Sequence, residues 1–285
     1  MQQMSSEIFQ TFKPKNEILK KYIDSFYFHK ADTIINSKKI VFFPNTKNAL
    51  TIYKNAQKIE SSLNPNHIKI VHHKTYNYLF LFGGIQQNAI ISEMNGPFDK
   101  IGVVFKPLGM NHFIDEIYLG KIVNNSYNFP SIEKKLKHYV DSIYSTNNLE
   151  KRLEMIELLF LNQINDHFNE PLLEKAINMI ESFNGKLRIK ELADKLNIEE
   201  KTLLRKFKNH VNCTPKYYSK VFQFRKAISN HIKKQENKSL TDLALKNEYY
   251  DQSDFIKSFR KLTGSTPSFF FNHIHDLGNE IYWFK

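Results

Sequence analysis

A run of cations without acids is the most chemically distinctive stretch of this sequence. Residues 201–235 contain ten Lys or Arg residues and no Asp or Glu. Such a segment can neutralise phosphates, and an arginine within it can donate two parallel hydrogen bonds to one guanine. The formal net charge of the chain is +12, and residues 171–285 contribute +8 of it, from 21 Lys/Arg and 13 Asp/Glu. The charge therefore predicts a polyanionic partner for the C-terminal part.

Few residues are spaced for catalysis or metal binding. His72 and His73 are the only adjacent pair among the 11 histidines, and the chain contains no His-Glu-x-x-His, no Gly-x-Ser-x-Gly and no phosphate-cradling Gly motif. A cupin-like metal site would need His29, His67, His72 and His73 to converge with a carboxylate, which their spacing does not demand. We therefore predict no enzymatic activity, no catalytic residue, no metal and no cofactor; a cupin-like metalloenzyme is the minor alternative.

The cations lie inside a unit that occurs twice. In the first copy Ile189, Leu192, Ala193 and Leu196 form one apolar stripe on a short helix, and the second copy follows 51 residues later at Ala244. In both copies a second helix then carries one packing residue and another four positions further on. Two short helices joined by a tight turn are typical of a helix-turn-helix. The apolar face of these helices is needed for packing, which argues against the alternative of a basic membrane-surface helix.

The turns and helix ends of the two copies agree only in part. Asn197 suits the positive φ that the first turn needs, whereas Glu248 at the second turn is poorly suited to it. Asn212 and Gly264 occupy matching positions after the second helices, where a left-handed residue ends a helix. Each is followed by a Thr-Pro pair, which is typical of an N-cap and the first helical position.

A long helix is predicted between the two copies, over Lys216–Lys234. Some eighteen residues at about 1.5 Å each give roughly 27 Å. This length is consistent with holding two recognition helices about one DNA turn apart, near 34 Å. One chain could therefore supply the spacing that a symmetric dimer obtains from its two-fold axis.

The span from Pro171 to Ile274 resembles the DNA-binding domain of the AraC/XylS family of bacterial transcription regulators. The closest match is Tyr249-Tyr-Asp-Gln-Ser-x-Phe255, followed by Phe259-Arg-Lys-x-x-Gly264-x-Thr-Pro267. The sequence departs from the family pattern at Glu248, where Gly is usual, at Asp254, where His is frequent, and at Lys257, where Arg is frequent.

The resemblance implies which residues contact double-stranded operator DNA. In a helix-turn-helix the second helix enters the major groove. The positions implied for base contacts are Lys201, Thr202, Leu204 and Arg205 in the first copy, and Gln252, Ser253, Asp254 and Lys257 in the second. The positions implied for phosphate contacts are Lys206, Lys208, Arg260 and Lys261. The resemblance also implies transcription regulation, for instance as an activator, with RNA polymerase as a protein partner.

The N-terminal part has a different pattern of residues. Short segments rich in β-branched and aromatic residues lie between residues 26 and 105, separated by Gly, Pro and Asn, and they predict a β-sandwich or a small barrel. This pattern of short strand-like segments resembles that of the cupin-like sensor domains of the same family. One hypothesis is that this domain binds a small-molecule effector in an apolar pocket. The other is that the regulator is ligand-independent and has a packed β core. Residues 108–168 then predict two amphipathic helices, which either pack on the β domain or form a homodimer face.

We therefore predict an α+β chain. Its N-terminal β-rich domain covers residues 1–168, with a helical segment at 108–168, and a linker lies at 165–171. A double helix-turn-helix domain follows over 171–274, and a tail at 275–285. The single cysteine, Cys213, excludes an intramolecular disulfide and predicts a structural thiol. No signal peptide or apolar run of 18 residues is present, so the expected location is the cytoplasm, without a membrane.

Overall fold

A computed structural model describes residues 7–32, 38–60, 64, 66–74, 78–94, 96–114, 119, 130–165, 167–234, 252–276 and 282–284. The strands of the N-terminal part are β1 Glu7–Phe12, β2 Ile23–Ala31, β3 Lys38–Phe42, β4 Asn48–Lys54, β5 Ala56–Glu60, β6 His67–His72, β7 Tyr78–Gly83, β8 Ile90–Met94 and β9 Phe98–Phe105. The helices are α1 Leu19–Tyr22, α2 Pro130–Tyr144, α3 Leu149–Leu161, α4 Pro171–Ser182, α5 Ile189–Lys195, α6 Glu200–His210, α7 Pro215–Lys234, α8 Gln252–Thr263 and α9 Pro267–His273, with a 3-10 helix at Gly109–Phe113.

The predicted α+β class is confirmed, and the N-terminal strands form two separate sheets. The first sheet has the order β1-β2-β9-β4-β7, with antiparallel neighbours, and the second has the order β3-β8-β6-β5. In the second sheet only the β6–β8 pair is parallel among the described strands. Of the two predicted alternatives, the described strands therefore correspond to a sandwich.

The five-stranded sheet is covered on both faces. Phe28, Leu50 and Ile101 lie in a core shared with α2 and α3, whereas the alternate positions Tyr53 and Leu81 pack with residues of the second sheet. Successive strand residues point to opposite faces, so a sheet that is covered twice reads as a nearly continuous apolar run. This explains why β2 and β9 are buried at almost every position.

Both predicted amphipathic helices of the N-terminal part pack on this sheet. Leu136 and Val140 of α2 and Leu153 and Ile156 of α3 are fully buried in the same core as the strands. The packing reading of these helices is therefore confirmed for their apolar stripes. Tyr139, which the helical spacing predicts in the same stripe, is instead 47% exposed.

The C-terminal helices form a second core around α7. Tyr218, Val221, Phe224 and Ile228 lie along the buried face of α7 and contact helices α4 to α6 on one side and α8 and α9 on the other. Phe43 of the N-terminal domain joins the same core, with its ring centroid 4.8 Å from that of Phe270. The two parts of the chain therefore share apolar contacts.

Several boundaries differ from the sequence prediction. Pro14 followed by Ile18, Leu19 and Tyr22 predicts a short helix over residues 14–22, but the helix is confined to Leu19–Tyr22; neither β1 nor β5 is among the segments that the sequence predicts as strands. The predicted tail at 275–285 contains a strand pair instead, because β10 (Ile274–Asp276) pairs with β11 (Tyr282–Phe284). The first helix of the second copy and its turn at Glu248 lie outside the described residues. None of the described helices combines the length and hydropathy that a membrane crossing requires.

Candidate nucleic-acid interface and inter-domain cavity

The first helix-turn-helix consists of α5 and α6, and its turn has the geometry that the sequence predicted. Asn197 has a φ of +54°, a left-handed conformation that asparagine tolerates better than most residues. Leu192 and Ala193 of α5 and Leu203 and Phe207 of α6 are buried in the C-terminal core. This packing fixes α6 by one face and leaves the opposite face to solvent.

The outward side of α6 carries five of the six residues of this helix that are predicted to contact DNA. Lys201, Arg205 and Lys208 are exposed, at the spacing i, i+4, i+7 that places them on one side of a helix. Thr202 and Leu204 are half-buried beside them. The geometry brings these five side chains to one surface, and their roles in DNA contact stay predictions.

Lys206, a further predicted phosphate contact, lies on a different side of α6. Its Nζ is 2.5 Å from Oε2 of Glu170, the residue that precedes α4, and Nε2 of His210 is 3.3 Å from Oε1 of the same carboxylate. Burial lowers the pKa of His210, while the Glu170 carboxylate opposes this change. In this conformation Lys206 is therefore occupied by an ion pair.

The segment predicted as a linker takes part in this junction. The Phe168 ring lies edge-on between His112 and His210, at centroid distances of 5.0 and 5.4 Å. Asn111 of the 3-10 helix donates to the His210 carbonyl at 3.1 Å, and this amide is buried. The linker prediction for residues 165–171 stays a prediction; within this segment Phe168 and Glu170 pack against the junction, whereas His167, Asn169 and Pro171 are exposed.

The second recognition helix, α8, has the same division between faces. Phe255 and Phe259 are fully buried in the C-terminal core. Four predicted contacts are exposed on the remaining surface: Ser253, Lys257, Arg260 and Lys261. The side chains of Gln252 and Asp254 lie outside the described residues.

The two recognition helices are joined by α7, whose twenty residues correspond to about 30 Å at 1.5 Å each. Its start has the predicted capping geometry, because the Tyr217 amide donates to Thr214 Oγ1 at 3.1 Å and Pro215 is the first helical residue. The equivalent Thr266 accepts from the Phe269 amide at 3.3 Å at the start of α9. The predicted long helix between the copies is confirmed.

An apolar cavity of about 140 Å³ lies where α7 meets the N-terminal sandwich. Its walls come from both sheets, and among the described lining residues Arg225 is the one contributed by α7. The neighbouring Tyr217 hydroxyl donates to the Gln86 carbonyl at 2.7 Å, so α7 is attached to the rim of the cavity. The cavity is therefore bounded by the N-terminal sandwich and by α7, the helix that connects α6 with the second copy.

Two kinds of polar side chain line this cavity, partly exposed cations and buried hydroxyls. We call Lys47 and Arg225 its mouth; Lys47 also lies 3.2 Å from Asp24. We call the buried hydroxyl residues Tyr27, Thr51 and Ser92 its floor. Sequence reasoning missed both sets, since they come from separate strands and one helix and no local motif connects them.

The histidines considered for a metal site are held in other ways. His29 Nε2 is 2.6 Å from Glu7 Oε1, and His67 Nε2 is 3.3 Å from Glu93 Oε2. Within the described part of the chain, no three His, Cys, Asp or Glu side chains are grouped so as to hold a metal ion.

Comparison with known proteins identifies the C-terminal region. Residues 192–273 match the family model described as a helix-turn-helix domain, which is of the AraC type. This segment contains α6 to α9 and most of α5, the elements that carry the predicted contacts. The class defined here is a DNA-binding transcription regulator, whose residues 192–273 match an AraC-type helix-turn-helix model. No curated protein matches the chain.

Solved structures of ToxT from Vibrio cholerae are similar in overall arrangement. ToxT of strain O395 aligns at 12% identity and a TM-score of 0.42, over 91% of this chain and 95% of its own. Wild-type ToxT of strain SCE256, in a form bound to an unsaturated fatty acid, aligns at 11% identity and a TM-score of 0.41, over 94% and 96%. Both TM-scores lie below 0.5, so the proposals below rest on the residues of this chain.

Proposed function

We propose that this chain regulates transcription by placing α6 and α8 in successive major-groove turns of one operator. The observation that carries the proposal is the pair of recognition helices that bury one face each and expose cations on the other, joined by a helix of about 30 Å. One DNA turn is about 34 Å, so the two helices can reach neighbouring turns on one side of the duplex. We assign the contacts with operator DNA to the residues that the sequence predicted for them.

The test is binding of the full-length chain to its own operator, first identified by mapping the DNA that it binds across the genome. Operators carrying 5 extra base pairs between the two half-sites, about half a helical turn, should bind weakly. Operators carrying a full extra turn form the matched comparison. Equal affinity for the original and the half-turn operator would contradict simultaneous insertion of α6 and α8.

We further propose that the cavity binds a small apolar acid that controls DNA binding. The cations at the mouth, Lys47 and Arg225, suit a carboxylate, and the remaining walls are mostly apolar. Because Arg225 belongs to α7, an acid bound there contacts the helix that sets the separation of α6 and α8. The ligand-independent alternative predicted a β core without a pocket, and a cavity of about 140 Å³ favours the effector.

The effector proposal is tested with Arg225→Gln, which keeps a polar side chain and removes the charge. Small carboxylic acids should shift the operator affinity of the original chain and bind the variant more weakly. Lys220→Gln, which removes a charge from the same helix at a position outside the cavity lining, is the control. Acids that bind both variants equally would contradict a role for Arg225.

The proposed regulator has no catalytic role and acts in the cytoplasm, where its operator lies. RNA polymerase and a second copy of the chain stay proposed partners. A two-hybrid or pull-down assay with the polymerase subunits and a sedimentation measurement of the full-length chain would test them. A monomer that still activates transcription would exclude the dimer.

A further inference from the structure

The floor of the cavity contains more hydrogen-bonding capacity than an apolar acid could use. The hydroxyls of Tyr27 and Thr51 lie 2.7 Å apart and form one hydrogen bond between them. Each hydroxyl offers one hydrogen and two lone pairs. One bond between two hydroxyls therefore leaves one hydrogen to donate to a third group. Burial raises the pKa of Tyr27 to about 12, which keeps its phenol protonated at neutral pH.

Ser92 adds a second donor from the opposite sheet. It is 1% exposed, and its Oγ has no hydrogen-bond partner among the described residues. Ser92 does lie close enough to the Tyr53 hydroxyl to oppose the rise in pKa that burial causes there, although no hydrogen bond of normal geometry joins the two. A hydroxyl that is buried without a hydrogen-bond partner is unfavourable, so a ligand oxygen at this position would be stabilising.

The floor and the mouth face a space of limited size. Lys47 immediately precedes β4, and the three strand steps from Asn48 to Thr51 span about 10 Å. The cavity volume of about 140 Å³ is close to the roughly 150 Å³ of an engineered apolar cavity that binds benzene. A single ring with a polar group at each end fits both the length and the volume.

We propose that the effector is a compact, single-ring or similarly short carboxylic acid with a hydroxyl or oxo oxygen at the end opposite its carboxylate. This inference rests on the proposed effector site. The carboxylate would bind Lys47 and Arg225 at the mouth, and the distal oxygen would bind the hydroxyls of Thr51 and Ser92 at the floor. The floor is then the element that discriminates between acids of equal size.

The test compares two acids of nearly equal shape, 4-hydroxybenzoate and 4-methylbenzoate, by calorimetric titration of the full-length chain. The hydroxy acid should bind at least about 10-fold more tightly, because the methyl group leaves the floor hydroxyls unpaired. In a Thr51→Val/Ser92→Ala double variant this ratio should fall to about one. Ser145→Ala/Thr146→Val, the same pair of changes between α2 and α3 and outside the cavity lining, should preserve the ratio of the original chain.

The outcomes separate this inference from the proposals on which it rests. If the methyl acid binds with equal or greater affinity, or if the preference persists in the double variant, the floor does not select the ligand, while an Arg225-dependent acid site would still stand. If neither acid binds, both the ligand class and the effector site are wrong. DNA binding measured without any acid is independent of all these results.

Discussion

The hydroxyl of Tyr27 lies 2.7 Å from that of Thr51 although their strands are not neighbours, because β9 runs between them. The residue between the two is Gly102, which is in register with both. A Cβ at Gly102 would lie 1.8 Å from the Tyr27 ring, so the ring can cross the middle strand only because that residue has no side chain. This glycine therefore creates the floor of the cavity.

Gly102→Ala should consequently destabilise the chain and displace Tyr27. We expect a loss of about 1–3 kcal/mol in the free energy of unfolding, measured in urea, because the added methyl group overpacks the space between the sheets. Gly83→Ala is the control, since a Cβ there would meet only the Ala49 carbonyl oxygen, at 3.9 Å. Equal stability of the two variants would contradict the steric explanation.

Arg205 and Lys208 should differ in the kind of DNA contact that they make. Arg205→Ala should weaken operator binding by roughly 1–3 kcal/mol and random DNA hardly at all, because a two-armed contact to guanine is specific. Lys208→Ala should weaken both and reduce the salt slope by about one. Binding titrations on operator and scrambled DNA at several salt concentrations measure this. If Arg205→Ala weakens both DNAs equally, Arg205 contacts phosphate.

Glu170→Gln should strengthen DNA binding through Lys206. The substitution removes the charge that holds the Lys206 ammonium at 2.5 Å, so the lysine becomes available to a phosphate. The expected result is tighter binding to random DNA at low salt, with a salt slope steeper by about one. Adding Lys206→Met to the variant should cancel the effect.

The control for Glu170 is Glu150→Gln. Glu150 is paired with Lys15 at 2.6 Å on the N-terminal domain, so its substitution changes the net charge by the same amount at a remote place. If Glu170→Gln and Glu150→Gln bind DNA with equal affinity, the change in affinity comes from the net charge. The ion pair with Glu170 would then not keep Lys206 from the DNA.

Cys213→Ser should leave DNA binding within a few-fold of the original. Burial raises the pKa of the Cys213 thiol to about 12, so the thiol is protonated at neutral pH and reacts slowly with oxidants. Operator binding before and after peroxide treatment is the measurement. A peroxide-dependent loss of binding that disappears in the variant would show that the thiol is a redox sensor.

Acidification should destabilise the C-terminal core through His231 of α7. Its ring lies 4.1 Å from that of Phe271, and burial lowers its pKa from the ordinary value of 6.5. Below pH 6.5 the unfolded chain binds this proton more readily than the folded chain, so stability decreases as the pH falls from 6.5 towards the lowered value. The free energy of unfolding, measured in urea at pH 7.5 and at pH 6.0, should differ less between the two pH values for His231→Phe than for the original chain. An unchanged difference would exclude His231.

The sequence alone determined the features that depend on neighbours along the chain. The spacing of Leu203 and Phe207 placed both in the core and left Arg205 outside, because the α-helix has a fixed period. Asn197, Asn212 and Gly264 all have the positive φ that the duplicated pattern required. These are local properties, so the packing residues of the first helix-turn-helix and of α8 could be predicted individually.

Only the tertiary structure decided which distant residues meet. Strand β1 was missed because none of its six residues, Glu7–Phe12, is buried, so no alternation of buried apolar positions marks it. The ion pair of Lys206 depends on Glu170, 36 positions away, and on the packing of α4 against α6. The cavity joins Ser92, Tyr27 and Arg225 from two sheets and one helix. No period or motif relates such residues, since their proximity is created by the packing of whole elements.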